Sequence, residues 1–206
     1  MFKDRDDAAR QLASALRRFK GLQPLVLAIA RGAVPMGKLV AQALGGELDV
    51  VLVRKLTAPC APEFAIGSVD ESGWTYVAPS ARSADADEAY LAQEKARQCK
   101  TIRERRARYT PLRPPIDPAG RIVIVVDDGL ATGATMISAL HSLRSRQPAR
   151  LVCAVPVSSP EALALVKPLA DDVVCLHAPA SFRAVGQFYR DFAQVEDEEV
   201  IRLLKA

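Results

Sequence analysis

The chain has 206 residues, 50% of them hydrophobic and 25% charged, with 28 Lys and Arg against 24 Asp and Glu for a formal net charge of +4. That balance excludes a disordered chain and a disulfide scaffold and fits one domain by length; so mild a positive charge permits anionic ligands without implying nucleic acid. No stretch approaches the roughly 20 apolar residues of a membrane helix, and Met1-Phe2-Lys3-Asp4-Arg5 has no apolar run behind it, so a cytoplasmic protein is expected.

Asp4 or Asp6 is placed to cap a first helix with Ala9, Leu12, Ala13, Leu16 and Phe19 on one stripe. Residues 25–30 (LVLAIA) read as a strand. Pro35 suits the first turn of a second helix and Gly45-Gly46 its end. Residues 48–53 (LDVVLV) read as the next strand. The rhythm then breaks. Residues 56–82 are rich in Pro, Gly and Ser, and Phe64–Val69 and Trp74–Val77 around Asp70-Glu71-Ser72-Gly73 read as a hairpin. A helix of roughly Asp85 to Tyr109 follows, with Ala89, Ala92, Ala96 and Cys99 as its expected inner stripe. An excursion this long between strands predicts an active-site flap and its supporting helix, about 56–110. Residues 121–126 (RIVIVV), 151–155 (LVCAV) and 173–176 (VVCL) read as further strands. Between them, helices open near Gly133, carrying Met136, Ile137, Leu140 and Leu143, and run from about Glu161 to Leu169.

The strand runs are continuous rather than alternating, as when both faces of a sheet are covered. Strand–helix–strand repetition then implies right-handed crossovers and a parallel central sheet flanked by helices, an α/β fold in a single domain over 1–206. Cys60, Cys99, Cys153 and Cys175 lie far apart, with no C-x-x-C pair and two histidines in the chain, against a zinc site or a disulfide framework. Cys153 and Cys175 fall in apolar runs and are expected in the core.

The strongest signal is Val125-Val126-Asp127-Asp128-Gly129-Leu130-Ala131-Thr132-Gly133-Ala134-Thr135. An apolar strand ends in two carboxylates, and a loop of small residues with two threonines leads into a helix. Small residues let the backbone curl around an anion, successive N–H groups point inward, and the helix N-terminus adds partial positive charge. Thr132 and Thr135 add hydroxyl donors. The carboxylates repel a phosphate and suit sugar hydroxyls or the water shell of a magnesium ion. No Lys follows Gly133, so the nucleotide-hydrolase loop G-x-x-x-x-G-K-[ST] is absent.

VIVVDDGLATGAT resembles the phosphoribosyl pyrophosphate (PRPP) binding motif of type I phosphoribosyltransferases, and the likeness extends over most of the chain. Ala30-Arg31-Gly32-Ala33-Val34-Pro35 resembles the pyrophosphate loop of that family, and Arg54-Lys55 the pair that opens the flexible catalytic loop of orotate and adenine members. RKLTAPCAPEFAIGSV, VGQFYRDF and the closing DEEV resemble a bacterial subgroup whose substrate is not established.

The resemblance implies that Asp127 and Asp128 hold the ribose hydroxyls and, with Lys55, form the catalytic set. Ala131, Thr132, Gly133, Ala134 and Thr135 would bind the 5′-phosphate; Arg31, Gly32, Arg54 and Lys55 would hold the pyrophosphate. Mg²⁺ would be the cofactor, bound mainly through substrate and water near Asp127 and Asp128 with no direct protein cage. Phosphoribosyl transfer to a nitrogen nucleophile, a nucleobase above all, would release pyrophosphate, and a homodimer is the family expectation. A C-terminal hood near 177–195 would cover the base, with Leu130 and Phe182 as base contacts; Phe182, Phe188 and Tyr189 there either stack on the base or pack the core. Members acting on hypoxanthine or guanine place an acid just before the Thr-Gly, where this chain has Ala131, which argues against a 6-oxopurine acceptor. Glu63 is a flap residue that either serves the acceptor or is simply solvated. The rival is a PRPP-sensing regulator that binds nucleic acid. Lys95, Arg97, Lys100, Arg103, Arg105, Arg106 and Arg108 could grip phosphates, or form a solvated helix face that pairs with acids elsewhere.

Overall fold

In the computed structural model of the chain, the described residues are 1–59, 61–84, 86–111 and 114–205, and the side chains at 62, 63, 80, 82 and 83 are not among them. Cys60, Asp85 and the Glu63 side chain therefore lie outside the described residues.

Helix α1 (Arg5–Ala15) is capped by Asp4, whose carboxylate accepts from the Asp7 N–H at 2.8 Å, and Ala8, Ala9, Leu12 and Ala13 face inward. Strand β1 (Leu25–Ile29) is buried throughout. Helix α2 (Val34–Leu44) starts with Pro35 in its first turn and ends at Gly45. Strand β2 (Glu47–Val51) follows, and after Leu52 alone the chain enters a different sheet as β3 (Val53–Ala58). The expected strand over 48–53 is thus two strands. β3 pairs antiparallel with β4 (Ala61–Asp70), which pairs antiparallel with β5 (Thr75–Val77). The expected hairpin is present as two-thirds of a three-stranded sheet.

Helix α3 (Glu88–Tyr109) is capped by Asp87. Its buried positions are Glu94, Gln98, Ile102 and Tyr109, not the small residues expected there; Ala89, Ala92 and Ala96 are exposed and Cys99 is half-buried. The apolar pattern misled because the helix buries polar groups in hydrogen bonds: Gln98 donates to Glu94 at 2.8 Å and accepts from Arg54 at 2.9 Å. Paired in this way, polar side chains are tolerated inside.

Strand β6 (Ile122–Val126), helix α4 (Ala134–Arg144), strand β7 (Arg150–Val157), helix α5 (Pro160–Val166), strand β8 (Asp172–His177) and helix α6 (Asp197–Lys205) complete the chain. Residues 167–169 continue α5 as a single 3₁₀ turn. Cys153 is fully buried, but Cys175 is only half-buried, because β8 is the edge strand and its outer side lacks a neighbour.

The central sheet is parallel in the order β2-β1-β6-β7-β8. Period-two alternation divides its side chains between two cores. Val26, Ala28, Ile124, Val126, Val152 and Ala154 join the core that α1 and α2 cover. Leu25, Leu27, Ile29, Val123, Val125, Cys153 and Val155 join the core that includes Met136, Ile137, Leu140 and Leu143 of α4. From β1 the chain winds outward to β2, then returns to place β6 on the other side of β1. The loops that follow β1 and β6 therefore leave the sheet toward opposite faces, opening a crevice at the carboxyl ends of these neighbouring strands.

Candidate functional site

A cavity of about 350 Å³ occupies that crevice, lined by Ala30, Arg31 and Gly32 after β1, Lys55 of β3, and residues 127–133 and Thr135 after β6, with Val185 and Phe192 of the C-terminal segment as its far wall. The two loops fit closely. A Cβ on Gly32 would stand 2.5 Å from Asp128 Oδ2, so only glycine lets the Asp128 carboxylate pass over this backbone. The peptide joining Ala30 to Arg31 is cis.

The loop after β6 turns into α4 at Gly133, whose φ of +77° lies in the left-handed region that glycine enters without steric cost. The first-turn amides of α4 have no carbonyl within the helix to reach. Thr132 Oγ1 accepts from the Ala134 N–H at 3.4 Å, and both Thr132 and Thr135 line the cavity, whereas Ala134 is turned into the core. Ser159 holds this loop from behind. Its hydroxyl donates to the Ala131 carbonyl at 2.8 Å and accepts from the Ala162 N–H, so the residue that caps α5 also fixes the loop.

The twin acids sit side by side, and Asp127 accepts from the Asp128 N–H at 2.9 Å. Burial, and next the Asp128 charge, push the Asp127 carboxyl well above the ordinary carboxylate range. Burial also raises Asp128, with the Arg5 charge and hydrogen bond opposing it. Lys55 pulls both down. The site is therefore short of positive charge for two ionised acids, and a ligand that brings hydroxyl donors or a cation relieves it.

Asp128 is fixed at two further points. Arg5 reaches its Oδ2 with Nε at 3.1 Å and Nη2 at 2.8 Å, and Tyr189 donates its hydroxyl to the Asp128 carbonyl at 2.6 Å. Arg31 points from the cavity wall toward the start of α6, with Nη1 3.1 Å from Glu196 Oε2 and 3.7 Å from Asp197 Oδ1. Asp197 also receives Arg108 at 3.0 Å and the Tyr109 hydroxyl.

Most of the residues expected from sequence gather here: Arg31, Gly32, Lys55, Asp127, Asp128, Leu130, Ala131, Thr132, Gly133 and Thr135 all line the cavity. Arg54 does not. Neighbours on a strand point to opposite faces, so when Lys55 faces the cavity Arg54 turns to α3 and hydrogen-bonds Gln98. Phe182 is also elsewhere, packed on Phe188 with ring centroids 5.1 Å apart, and the aromatic side chain on the wall is Phe192. Tyr189 is buried and serves Asp128 rather than an open face.

Arg5, Ser159, Val185 and Phe192 were not legible as site residues. One signal did mark Arg5. It is a cation in the first turn of a helix, where it opposes the helix dipole.

The basic helix face is largely paired with acids. Arg97 binds Glu94, Arg106 binds Glu71, Arg108 binds Asp197 and Glu198, and Lys100 and Arg105 lie 3.9 Å from Glu104 and Asp197. No group of three or more His, Cys, Asp and Glu able to cage a metal occurs among the described residues, and no helix among them is long and apolar enough to cross a membrane.

Comparison with known proteins agrees with this geometry. Residues 2–193 match the model of the phosphoribosyl transferase domain family. A crystal structure of TT1426 from Thermus thermophilus superposes with a TM-score of 0.80 at 48% identity, over 98% of this chain and 97% of that one. Two curated Mycobacterium tuberculosis proteins, provisionally named phosphoribosyl transferases, are each 40% identical over 205 residues, 99% of this chain and 46% of their own length. The chain thus spans about half the length of those curated relatives. With a family match over nearly its whole length, and a loop of small residues beside twin acids at the sheet's switch point, the chain belongs to the phosphoribosyl transferase domain family.

Proposed function

We propose that the protein transfers the phosphoribosyl group of PRPP to a nitrogen nucleophile and releases pyrophosphate. The observation that carries this reading is convergence: Arg31 and Gly32, Lys55, Asp127 and Asp128, and Ala131, Thr132, Gly133 and Thr135 come from three separate segments and line one cavity.

In this reading the loop from Ala131 to Thr135 holds the 5′-phosphate through backbone amides, the two threonine hydroxyls and the N-terminus of α4. Ala134 contributes its amide alone, its side chain being buried. Asp127 and Asp128 accept hydrogen bonds from the ribose hydroxyls. Breaking the anomeric C–O bond builds positive charge on the sugar and negative charge on the leaving pyrophosphate. The acids on one side, and Lys55 and Arg31 on the other, have the signs that stabilise this separation. Arg31 reaches the pyrophosphate by leaving the exposed Glu196, which holds it weakly, and the longer contact to Asp197. Arg54, tied to Gln98, takes no part.

Mg²⁺ fits the site. Two carboxylates that line the cavity offer hard oxygen donors, and a magnesium ion that keeps several waters needs no further protein ligand. Asp127 and Asp128 would hold it through water together with substrate oxygens, where it neutralises the leaving group.

For the acceptor, the wall formed by Leu130, Val185 and Phe192 is apolar, and Ala131 stands where an acid serves 6-oxopurines in members of this kind. The acceptor is accordingly a nitrogen compound other than hypoxanthine or guanine. The nucleic-acid-binding sensor is disfavoured by the basic helix, where Arg97, Arg106 and Arg108 are paired with Glu94, Glu71, Asp197 and Glu198.

A panel of purines, pyrimidines and small amines with PRPP and Mg²⁺, read by pyrophosphate release, tests the reading. Release is expected with one acceptor class and not with hypoxanthine or guanine. No release across the panel, together with salt-sensitive shifts of RNA or DNA in gels, would replace the transferase by the sensor.

A further inference from the structure

Arg5 lies far from the motif in sequence, yet it touches Asp128 more closely than any other charged group does. Its Nε and Nη2 both fall on Asp128 Oδ2, at 3.1 and 2.8 Å, while Nη1 donates to the Ala193 carbonyl at 2.6 Å. Its guanidinium stacks on the Phe192 ring, 3.9 Å from the centroid, and its side chain is 12% exposed. The group is therefore held on three sides: one edge by the acid, another by the C-terminal backbone, and one flat face by an aromatic wall of the cavity. Two donors on a single oxygen fix the carboxylate in rotation and leave Oδ1 free of Arg5. Gly32 completes the arrangement, because any side chain there would strike Oδ2 and displace it from Arg5.

We propose that Arg5 is a positioning residue for ribose recognition: by holding Asp128 through Oδ2 it presents Oδ1 to one sugar hydroxyl. The proposal rests on the reading of Asp127 and Asp128 as ribose ligands. It assigns to the start of α1 a part in the site that the phosphate loop and the pyrophosphate loop do not supply. A freely rotating carboxylate would have to be ordered when sugar binds, and a carboxylate held in advance avoids that cost.

The test uses ribose 5-phosphate and its 2-deoxy and 3-deoxy analogues as probes, titrated calorimetrically against the wild-type protein and Arg5→Met, which keeps an apolar stem against Phe192. Loss of a hydrogen bond to a charged group corresponds to roughly tenfold or more in affinity, so wild type is expected to prefer ribose over each deoxy sugar by about that factor. In Arg5→Met one of the two preferences is expected to fall to about twofold or less, with the other retained and the deoxy sugar of the lost preference bound as before. Arg5→Lys, which can place one nitrogen near Oδ2, is expected to recover part of it. Both preferences surviving in Arg5→Met, or both collapsing together, overturns the proposal. Wild type that binds ribose 5-phosphate with no preference at either hydroxyl overturns the ribose reading itself. If Arg5→Met does not give the wild-type circular dichroism spectrum, Arg5→Gln is read by the same two ratios.

Discussion

Asp127 illustrates the cost of placing a carboxyl group in a buried cavity wall. Its carboxyl is raised well above its ordinary 3.8 by burial and by Asp128. A native carboxyl with a raised pKa binds its proton more tightly than the unfolded chain does. The stability it lends is complete below about pH 3.8, and is lost as pH rises through the native value. Asp127→Asn keeps an acceptor for the Asp128 N–H and removes the charge. Its Tm is therefore expected to exceed that of wild type at neutral pH, by roughly 2–4 °C for each kcal/mol relieved in a chain of this size. The gap should close as pH falls toward 4. Thermal unfolding followed across this range checks it, and parallel curves at every pH would show that the acids carry no such burden. Turnover in the same variant should fall, a gain in stability at the expense of the site. At this scale the sequence was informative wherever chemistry is local: Asp127, Asp128, Thr132 and Thr135 stand within nine residues of one another. Arg5 and Phe192 reach the same place from opposite ends of the chain, and no local pattern links them.

Among the elements, the hairpin is present as expected and shows how it is attached. Its β4 is fastened to α4. The Ser68 hydroxyl donates to the Ala134 carbonyl at 2.7 Å and lies 2.6 Å from the Ser138 hydroxyl, and Trp74 stacks on His141 with centroids 3.7 Å apart. The base of the sheet is therefore tied to the helix that follows residues 131–133. Pairing becomes irregular only beyond Leu56, toward the exposed Phe64. Ser68→Ala would leave a buried carbonyl and a buried hydroxyl short of a partner, at a cost of about 1–3 kcal/mol. A lower urea midpoint with unchanged m-value is the expected result; an unchanged midpoint would mean that the sheet is not secured there. Ser68 was unreadable as an anchor because a lone serine in a strand carries no pattern. The inner face of α3 was misread for a related reason: Glu94 and Gln98 look like solvent-facing residues until Arg54 is known to lie against them.

For the molecule as a whole, the sequence was most legible where a physical rule constrains it. Continuous apolar runs are what a sheet covered on both faces requires, and β1, β6, β7 and β8 fall within two residues of the expected spans. The strand order is another matter. No composition tells that β6 inserts beside β1, yet this insertion opens the crevice and brings residues 30–32 to residues 127–135. The hood expected near 177–195 has a similar history. Phe2 bonds across to Phe188 and Arg190, so the two ends of the chain close on each other beside Asp128. The cavity is thus assembled by topology from pieces that are individually ordinary. A crystal structure with PRPP and Mg²⁺ bound measures this assembly directly. The 5-phosphate should rest on the amides of residues 132–135 and the ribose hydroxyls on Asp127 and Asp128, with the pyrophosphate beside Arg31 and Lys55. A phosphate seated outside that loop, or a ribose turned away from the two acids, would contradict it.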